Sequence, residues 1–440
     1  MKKQLPLWLR SIIFGRKSPV GISARQHFTG KIFPILFLLF IASKGAAVPL
    51  TGTLNIPGSY ATLALAITDL NTQGVGAGGV TLNLLAGNPE TTPAGGYVIG
   101  GAGSMVLTTS SAANPVIIQG NGNTITAFTP QTAGNLNDAV FKLIGADFVT
   151  ITGFTMLENP ANATTTAGSN NMTEWGVALL YVTTTDNANN VTITGNTIDL
   201  NRTYQNTFGI YANATHSSTA PSTSATGTGA AGGNSGLVIT ANAITDVNMG
   251  IVVVGPTAAA DNNDGITIGG SAPNANVITN FGTTGTFSSY ANVSGTVNGI
   301  LVRNSKNFVI SFNTITSSVG GTTSGTLNGI QIPASSNTPT GTFTCTINNN
   351  SISLQSGVAA GAINGINAPS GSASATSTIN INNNDFNTSG HTVAASGAII
   401  FIIQVSTHQF QNINNNTFTN LNVNTTGSVT FISNSNTAPA

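Results

Sequence analysis

Between Glu158 and Tyr211 the sequence gathers residues able to hold or cleave a sugar. Trp175, Tyr181, Tyr204 and Tyr211 stand beside Glu158, Glu174, Asp186, Asp199 and Arg202. Aromatic faces next to carboxylates suit a sugar-binding groove, and a carboxylate pair is the minimum for glycoside hydrolysis. The expectation is a glycan-binding patch made of Glu158, Glu174, Trp175, Tyr181, Asp199, Arg202, Tyr204 and Tyr211. No carboxylate spacing here is diagnostic, so no catalytic residue is assigned. The plainer alternative is that these side chains cover exposed apolar wall.

Other candidate chemistry is thinner. The loop DNNDG, Asp261 to Gly265, lacks the alternating acids and distal Glu of an EF-hand. Asp264 precedes Ile268 by the same four positions as Lys306 precedes Ile310, which predicts an ion pair between stacked turns. His216, His391 and His408 are dispersed without metal-ligand spacing, and no metal or cofactor is expected. The single cysteine, Cys345 in FTCTINNNSI, reads as a small buried hydrophobe.

These residues are positioned by a repeat. One phrase recurs: an Ile, an Asn three positions later, then Ile, Phe or Met two further on. Examples are NVTITGNTI at 190, LVITANAI at 237, CTINNNSI at 345 and TININNNDF at 378. The apolar column is Ile118, Ile151, Ile193, Ile239, Ile268, Ile310, Ile347, Ile381 and Ile413. The asparagine column is Asn121, Asn196, Asn242, Asn276, Asn313, Asn350, Asn384 and Asn416, with Phe154 as the exception. Counting Phe154, successive members lie 32 to 46 residues apart, too far for a hairpin and suited to one turn of a solenoid. The intervals of 42 and 46 residues that flank Asn196 are the longest, so loops must bulge there, where function concentrates on such folds.

Apolar and polar residues alternate before each Asn, the sign of a strand with one buried face. A second strand often opens with Gly-Ile, as in GIYA at 209, GIVVVG at 250, GILVRN at 299, GIQIPA at 329 and GINAPS at 365. With no recurring helix pattern, the expected architecture is all-β: a right-handed parallel β-helix of about ten coils over 111–440. Stacked amides at about 4.8 Å can donate and accept along an internal ladder, which Asp could not do. The ladder is read as structural. The flanking Thr, Ser and Asn residues, such as Thr192, Thr194, Asn380 and Asn412, are read as a solvated outer strip. SYATLALAITDLN, residues 59–71, is an amphipathic helix expected to cap the N-terminal end within a region 48–110 that also holds the first coil. ANATHSSTAPSTSATGTGAAGGNS, residues 212–235, reads as a low-complexity loop.

Only 5% of the 440 residues are charged, and the balance is uneven. Eight of the twelve Lys and Arg residues, and no Asp or Glu, precede residue 48. The remainder carries 4 basic and 12 acidic residues, eight negative charges in excess, which argues against nucleic acid as a partner. The basic stretch, the apolar run from Ile32 to Ser43 and the small residues ending at Ala47 read as a signal peptide cleaved near Ala47. A retained signal anchor is the alternative, although the apolar run is short for a bilayer.

The helix phrase YATLALAI, then VTLNLLAG, then coils marked by VTITGNTI resemble the pectin lyase-like superfamily, especially the large exported surface repeat proteins of Gram-negative bacteria. The resemblance covers roughly 50–435 and implies a cell-surface or secreted location and an adhesive or structural role, with polysaccharide as a possible partner. Superfamily enzymes include lyases, esterases and hydrolases. The NTD, DD, GHG and RIK motifs of the hydrolases do not occur here, and only Lys142, Arg202, Arg303 and Lys306 could serve as lyase bases after the leader. A non-enzymatic module is therefore expected, with a divergent polysaccharide lyase or glycoside hydrolase as the alternative.

Overall fold

The computed structural model describes residues 48–134, 136–166, 169–217, 232–258, 262–283, 295–323, 325–333, 343–369, 376–405 and 407–435. The basic leader, its apolar run and the cleavage position lie outside the described residues. So does 218–231, most of the low-complexity stretch; its first residues continue the strand Phe208–Ser217.

The chain winds as a right-handed parallel β-helix. Its strands form three long parallel sheets of eleven, ten and ten strands, each coil adding one strand to each sheet in turn. Right-handed crossover is what parallel strands joined within one sheet adopt almost without exception. In the first sheet the isoleucine column stacks residue for residue: Ile118 over Ile151, Ile193, Ile239, Ile268, Ile310, Ile347, Ile381 and Ile413. The second sheet supplies Ile198, Ile244, Ile278, Ile315, Ile352 and Phe386, all within the same continuous core.

The interior is narrow where the second and third sheets meet, and this explains the Gly-Ile phrase. A Cβ on Gly209 would come within 2.5 Å of Ile244 Cγ2, and one on Gly250 within 2.7 Å of Ile278 Cγ2. Gly176, Gly299 and Gly329 meet Ile198, Ile315 and Ile352 in the same way. Any larger residue would have to displace the isoleucine column across the core.

Between the first and second sheets the chain turns through the asparagines. Asn313 Nδ2 donates to Asn350 Oδ1 at 3.0 Å and to the Ile268 carbonyl at 3.0 Å, while its own Oδ1 accepts from Asn276 Nδ2 at 2.9 Å. The same links join Asn196 to Asn242, Asn242 to Asn276, Asn350 to Asn384 and Asn384 to Asn416. Backbone N–H groups of the ladder residues share these acceptors, as Asn242 N does with Asn276 Oδ1 at 3.0 Å. The residue before the ladder position often adopts a positive φ, as at Asn349, Asn383 and Asn415, where asparagine tolerates the left-handed region better than most residues. That is the physical content of the repeated NNN.

The ladder position between strands Val116–Gln119 and Thr124–Thr126 is Asn123, not Asn121. Thr124 pairs with Thr155, which sets Asn123 opposite Phe154, and Asn123 Nδ2 donates to the Leu85 and Gly120 carbonyls. Gly120, Asn121 and Gly122 form a longer turn that shifts the column by two residues. Asn121 lies exposed and extends an outer ladder instead, donating to Asn83 Oδ1 at 2.7 Å as Asn83 donates to Asn55 Oδ1 at 2.8 Å. Phe154 N donates to Asn196 Oδ1, so the inner ladder begins from a backbone amide.

Near the N-terminal end a helix, α1 (Leu63–Gln73), starts and stops later than the periodicity predicts. Thr62 Oγ1 accepts from Leu65 N, and Gly74, with φ of 75°, closes the other end. Leu63, Ala66, Ile67 and Leu70 bury into the common core. Glu90 of the next coil accepts from Leu63 N at 2.9 Å and from Tyr97 OH at 2.7 Å, placing a carboxylate at the helix N-terminus.

If the ladder carries coil registration, Asn313→Ala lowers stability by about 3 kcal/mol, since it strands donors and acceptors in a dry turn. Asn313→Asp, nearly the same shape but unable to donate and charged, costs at least as much. Urea midpoints test this; an Asp variant close to wild type would show that the amide donors are dispensable.

Candidate functional site

Second-sheet strands Thr155–Leu157 and Thr197–Asp199 run in register, with Leu157 paired to Asp199. Where they end the chain leaves the wall in two successive loops, 158–174 and 200–207, before entering third-sheet strands Trp175–Tyr181 and Phe208–Ser217. Between the loops lies a cleft of about 390 Å³ whose polar lining is Glu158, Asn159, Asn162, Asp199 and Asn201.

Glu158 shapes the first loop. Its Oε1 accepts from Asn159 N, Asn162 Nδ2 and Thr173 Oγ1, each at 2.9 Å, and its Oε2 from Thr173 N at 2.8 Å. Burial pushes its carboxyl up, against the pull of those donors. Asp199 differs: its carboxylate has no hydrogen bond or ion pair among the described residues. Burial, and to a smaller extent the nearby Asp246 carboxylate, push it up. Asn201 Oδ1 accepts from Thr203 N and Oγ1, which leaves its Nδ2 as a donor.

Beneath the loops sits a second, enclosed group: Asp138, Lys142, Glu174, Tyr204 and Asn170. Glu174 Oε2 accepts from Asp138 N at 2.8 Å, and its Oε1 from Tyr204 OH at 2.6 Å and Asn170 Nδ2 at 3.2 Å. Thr132 N donates to Asp138 Oδ2 at 3.2 Å. The exposures of Glu174, Tyr204, Asp138 and Lys142 are 0, 1, 2 and 7%. Burial raises Glu174 well above the carboxylate range and Asp138 to about 6, the latter opposed by Lys142. Burial also lowers Lys142, against the attraction of Asp138 and Glu174.

The aromatic residues do not form an open sugar platform. Trp175 and Tyr211 are wholly buried, their rings stacked at 5.1 Å and 11°, with His216 edge-on to Trp175 at 5.4 Å. Together with Phe208, Ala178, Leu180 and Met249 they make a second apolar cluster on the third sheet, on the face turned from the main core. Tyr204 packs with Leu136 and Met172. The physical reason is that the third sheet is covered on both faces here. WGVALLY, like AVFKLI apart from its Lys142, is apolar throughout rather than alternating, the mark of a strand buried on both sides, and that signal was present in the sequence.

Of the eight predicted site residues, Glu158 and Asp199 meet in the cleft. Glu174, Trp175, Tyr204 and Tyr211 are sealed inside the wall, and Tyr181 is half-buried. Arg202 is engaged elsewhere: its Nε lies 3.3 Å from Asp246 Oδ1 and its guanidinium reaches the Gly282 carbonyl at 3.4 Å. Arg303 is partly buried with its Nε unpartnered. Sequence reasoning passed over Asn159, Asn162, Asn201 and Asp138, and named Lys142 only among the bases open to a lyase. Lys306 and Asp264 pair at 3.7 Å across stacked turns, and no His, Cys, Asp or Glu grouping among the described residues could hold a metal.

No protein-family model matches the chain, and no curated protein does. Among solved structures it is similar to the A-module of the Azotobacter vinelandii mannuronan C-5 epimerase AlgE6, at 11% identity over 86% of this chain and 95% of that one, with a TM-score of 0.27. It is also similar to the Streptococcus pneumoniae surface protein and adhesin PfbA, at 13% identity over 89% and 98%, with a TM-score of 0.24.

Two outcomes follow from the burial. Trp175→Ala opens a large hole in the third-sheet wall and costs about 3–5 kcal/mol, visible as a lower urea midpoint; a near-neutral effect would show the ring is not packed. Every carboxyl with a resolved shift is raised, so these acids hold their protons more tightly in the folded protein than in the unfolded chain. The stability from neutral Asp138 is fully present below its ordinary pKa of 3.8 and is lost as pH rises through about 6. Urea midpoints fall from pH 4 to 7.5, and the fall is shallower in Asp138→Asn; a rising midpoint contradicts the assignment.

Proposed function

We propose that this chain is an exported β-helical module of the cell surface or surroundings that adheres to polysaccharide rather than transforming it. What carries the reading is the separation of its polar groups. Asp138, Glu174, Lys142 and Tyr204, whose proton affinities would suit acid–base chemistry, are enclosed at 7% exposure or less, with Glu174 accepting from Asp138 N and Tyr204 OH and Lys142 held near the two acids by charge alone. A general acid or base must come within hydrogen-bonding reach of its substrate. The groups that meet solvent at the same place, Asp199 and Asn201, share a cleft with the first loop, which Glu158 fixes. Glu158 lines the same cleft but is occupied by its four loop donors, which leaves Asp199 as a lone free carboxylate rather than one of an acid–base pair.

The basic leader with its apolar run supports export, and the pectin lyase-like character of the coil phrases supports a glycan-facing role. The wall itself, closed by hydroxyls and amides with few charges, suits a rigid spacer on which loops display a binding surface. The acidic balance beyond the leader disfavours nucleic acid as a partner.

The purified full chain, incubated with a polysaccharide panel, is expected to be retained on at least one polymer while releasing neither reducing ends nor unsaturated uronate absorbing in the ultraviolet. Product release from any bound polymer would replace this reading with a divergent lyase or hydrolase.

A further inference from the structure

We propose that the cleft between the two loops selects uncharged sugars, gripping adjacent hydroxyls between Asp199 and Asn201; the inference rests on the polysaccharide-binding reading and names its ligand class.

Both ionisable groups that line the cleft, Glu158 and Asp199, are acids. The neighbouring cation, Arg202, is turned to Asp246 and the Gly282 carbonyl. A uronate or sulfate entering the cleft would meet a carboxylate with no counter-cation, and rejection by an unpaired like charge is an effective way to discriminate. A neutral sugar meets no such penalty.

The bonding capacity left over in the cleft matches a sugar diol. Glu158 is saturated by four donors, so it contributes charge and shape rather than a free acceptor. Asp199 offers an open carboxylate acceptor. Asn201, with its oxygen already accepting from Thr203, offers an amide donor. Adjacent sugar hydroxyls supply a donor to the first and an acceptor to the second. Pro160 and Ala163, both exposed, add apolar surface for the carbon–hydrogen face of a ring. At about 390 Å³ the cleft is at the small end of the roughly 300–1,000 Å³ typical of ligand sites, room for a short stretch of sugar rather than a long polymer.

Binding of the full chain to neutral polysaccharides (mannan, galactan, xylan) and anionic ones (polygalacturonate, heparin) is measured for wild type, Asp199→Asn and Asp199→Lys. Because Asp199 has no side-chain partner, these variants are expected to stay folded, which urea midpoints check in parallel. Wild type is expected to prefer a neutral polymer. Asp199→Asn weakens that binding about tenfold, the worth of one charge-assisted hydrogen bond. Asp199→Lys weakens it further and gains affinity for polygalacturonate. A wild-type preference for anionic polymers, or neutral binding untouched by either substitution, overturns the selectivity while leaving polysaccharide binding in place. Failure to bind any polymer removes the functional reading and this inference together.

Discussion

The structure depends on like residues lying over like at the spacing of one coil. Parallel strands about 4.8 Å apart put each side chain against its counterpart in the turns above and below, so every column must be compatible with itself. Isoleucine meets this condition in the core by packing. Asparagine meets it at the turn because its side chain is both donor and acceptor, so each rung satisfies the next. Glycine meets it opposite the second-sheet isoleucines, where no Cβ fits.

The same condition accounts for the scarcity of charge. Two like charges about 4 Å apart repel by about 1 kcal/mol in water and roughly 4 kcal/mol near a protein surface, and in a solenoid the penalty would recur at each turn. Among the described strands no charged residue pairs with a like charge. Asp199 lies between Leu157 and Thr245, Lys142 between Val98 and Ala178, and Asp385 between Ser351 and Thr417. Where two charges do stack, at Asp264 and Lys306, they are opposite. The low charge content is thus a consequence of the winding.

This is also why the scaffold was legible in the sequence and the site was not. The Ile193, Ile239 and Ile268 column is fixed by a local phrase that recurs, and local phrases survive loops of any length. The slip in the ladder, Asn121 for Asn123, came where Gly120 and Gly122 lengthen the turn and break the spacing on which the alignment relied. The patch failed for a different reason. Whether Trp175 faces water depends on what packs beside and over it on the third sheet, and its ring partners, Tyr211 and His216, come from the next coil. Only the lost alternation in WGVALLY signalled it, and that pattern names a covered face without naming the cover.

Function on such a wall must then come from places where stacking is interrupted. In the strands each side chain has its counterpart as a fixed neighbour, and a unique constellation would have to differ from the coils on both sides. The loops 158–174 and 200–207 escape that constraint, being successive but unlike in length and composition. They nevertheless remain tied to the coil geometry through their ends: Glu158 N donates to the Asp199 carbonyl at 3.0 Å, and Thr173, held by Glu158, leads directly into the enclosed Glu174. The cleft therefore inherits its rigidity from the ladder-built coil beneath it, while its chemistry, a free carboxylate beside an amide donor, belongs to the interruption.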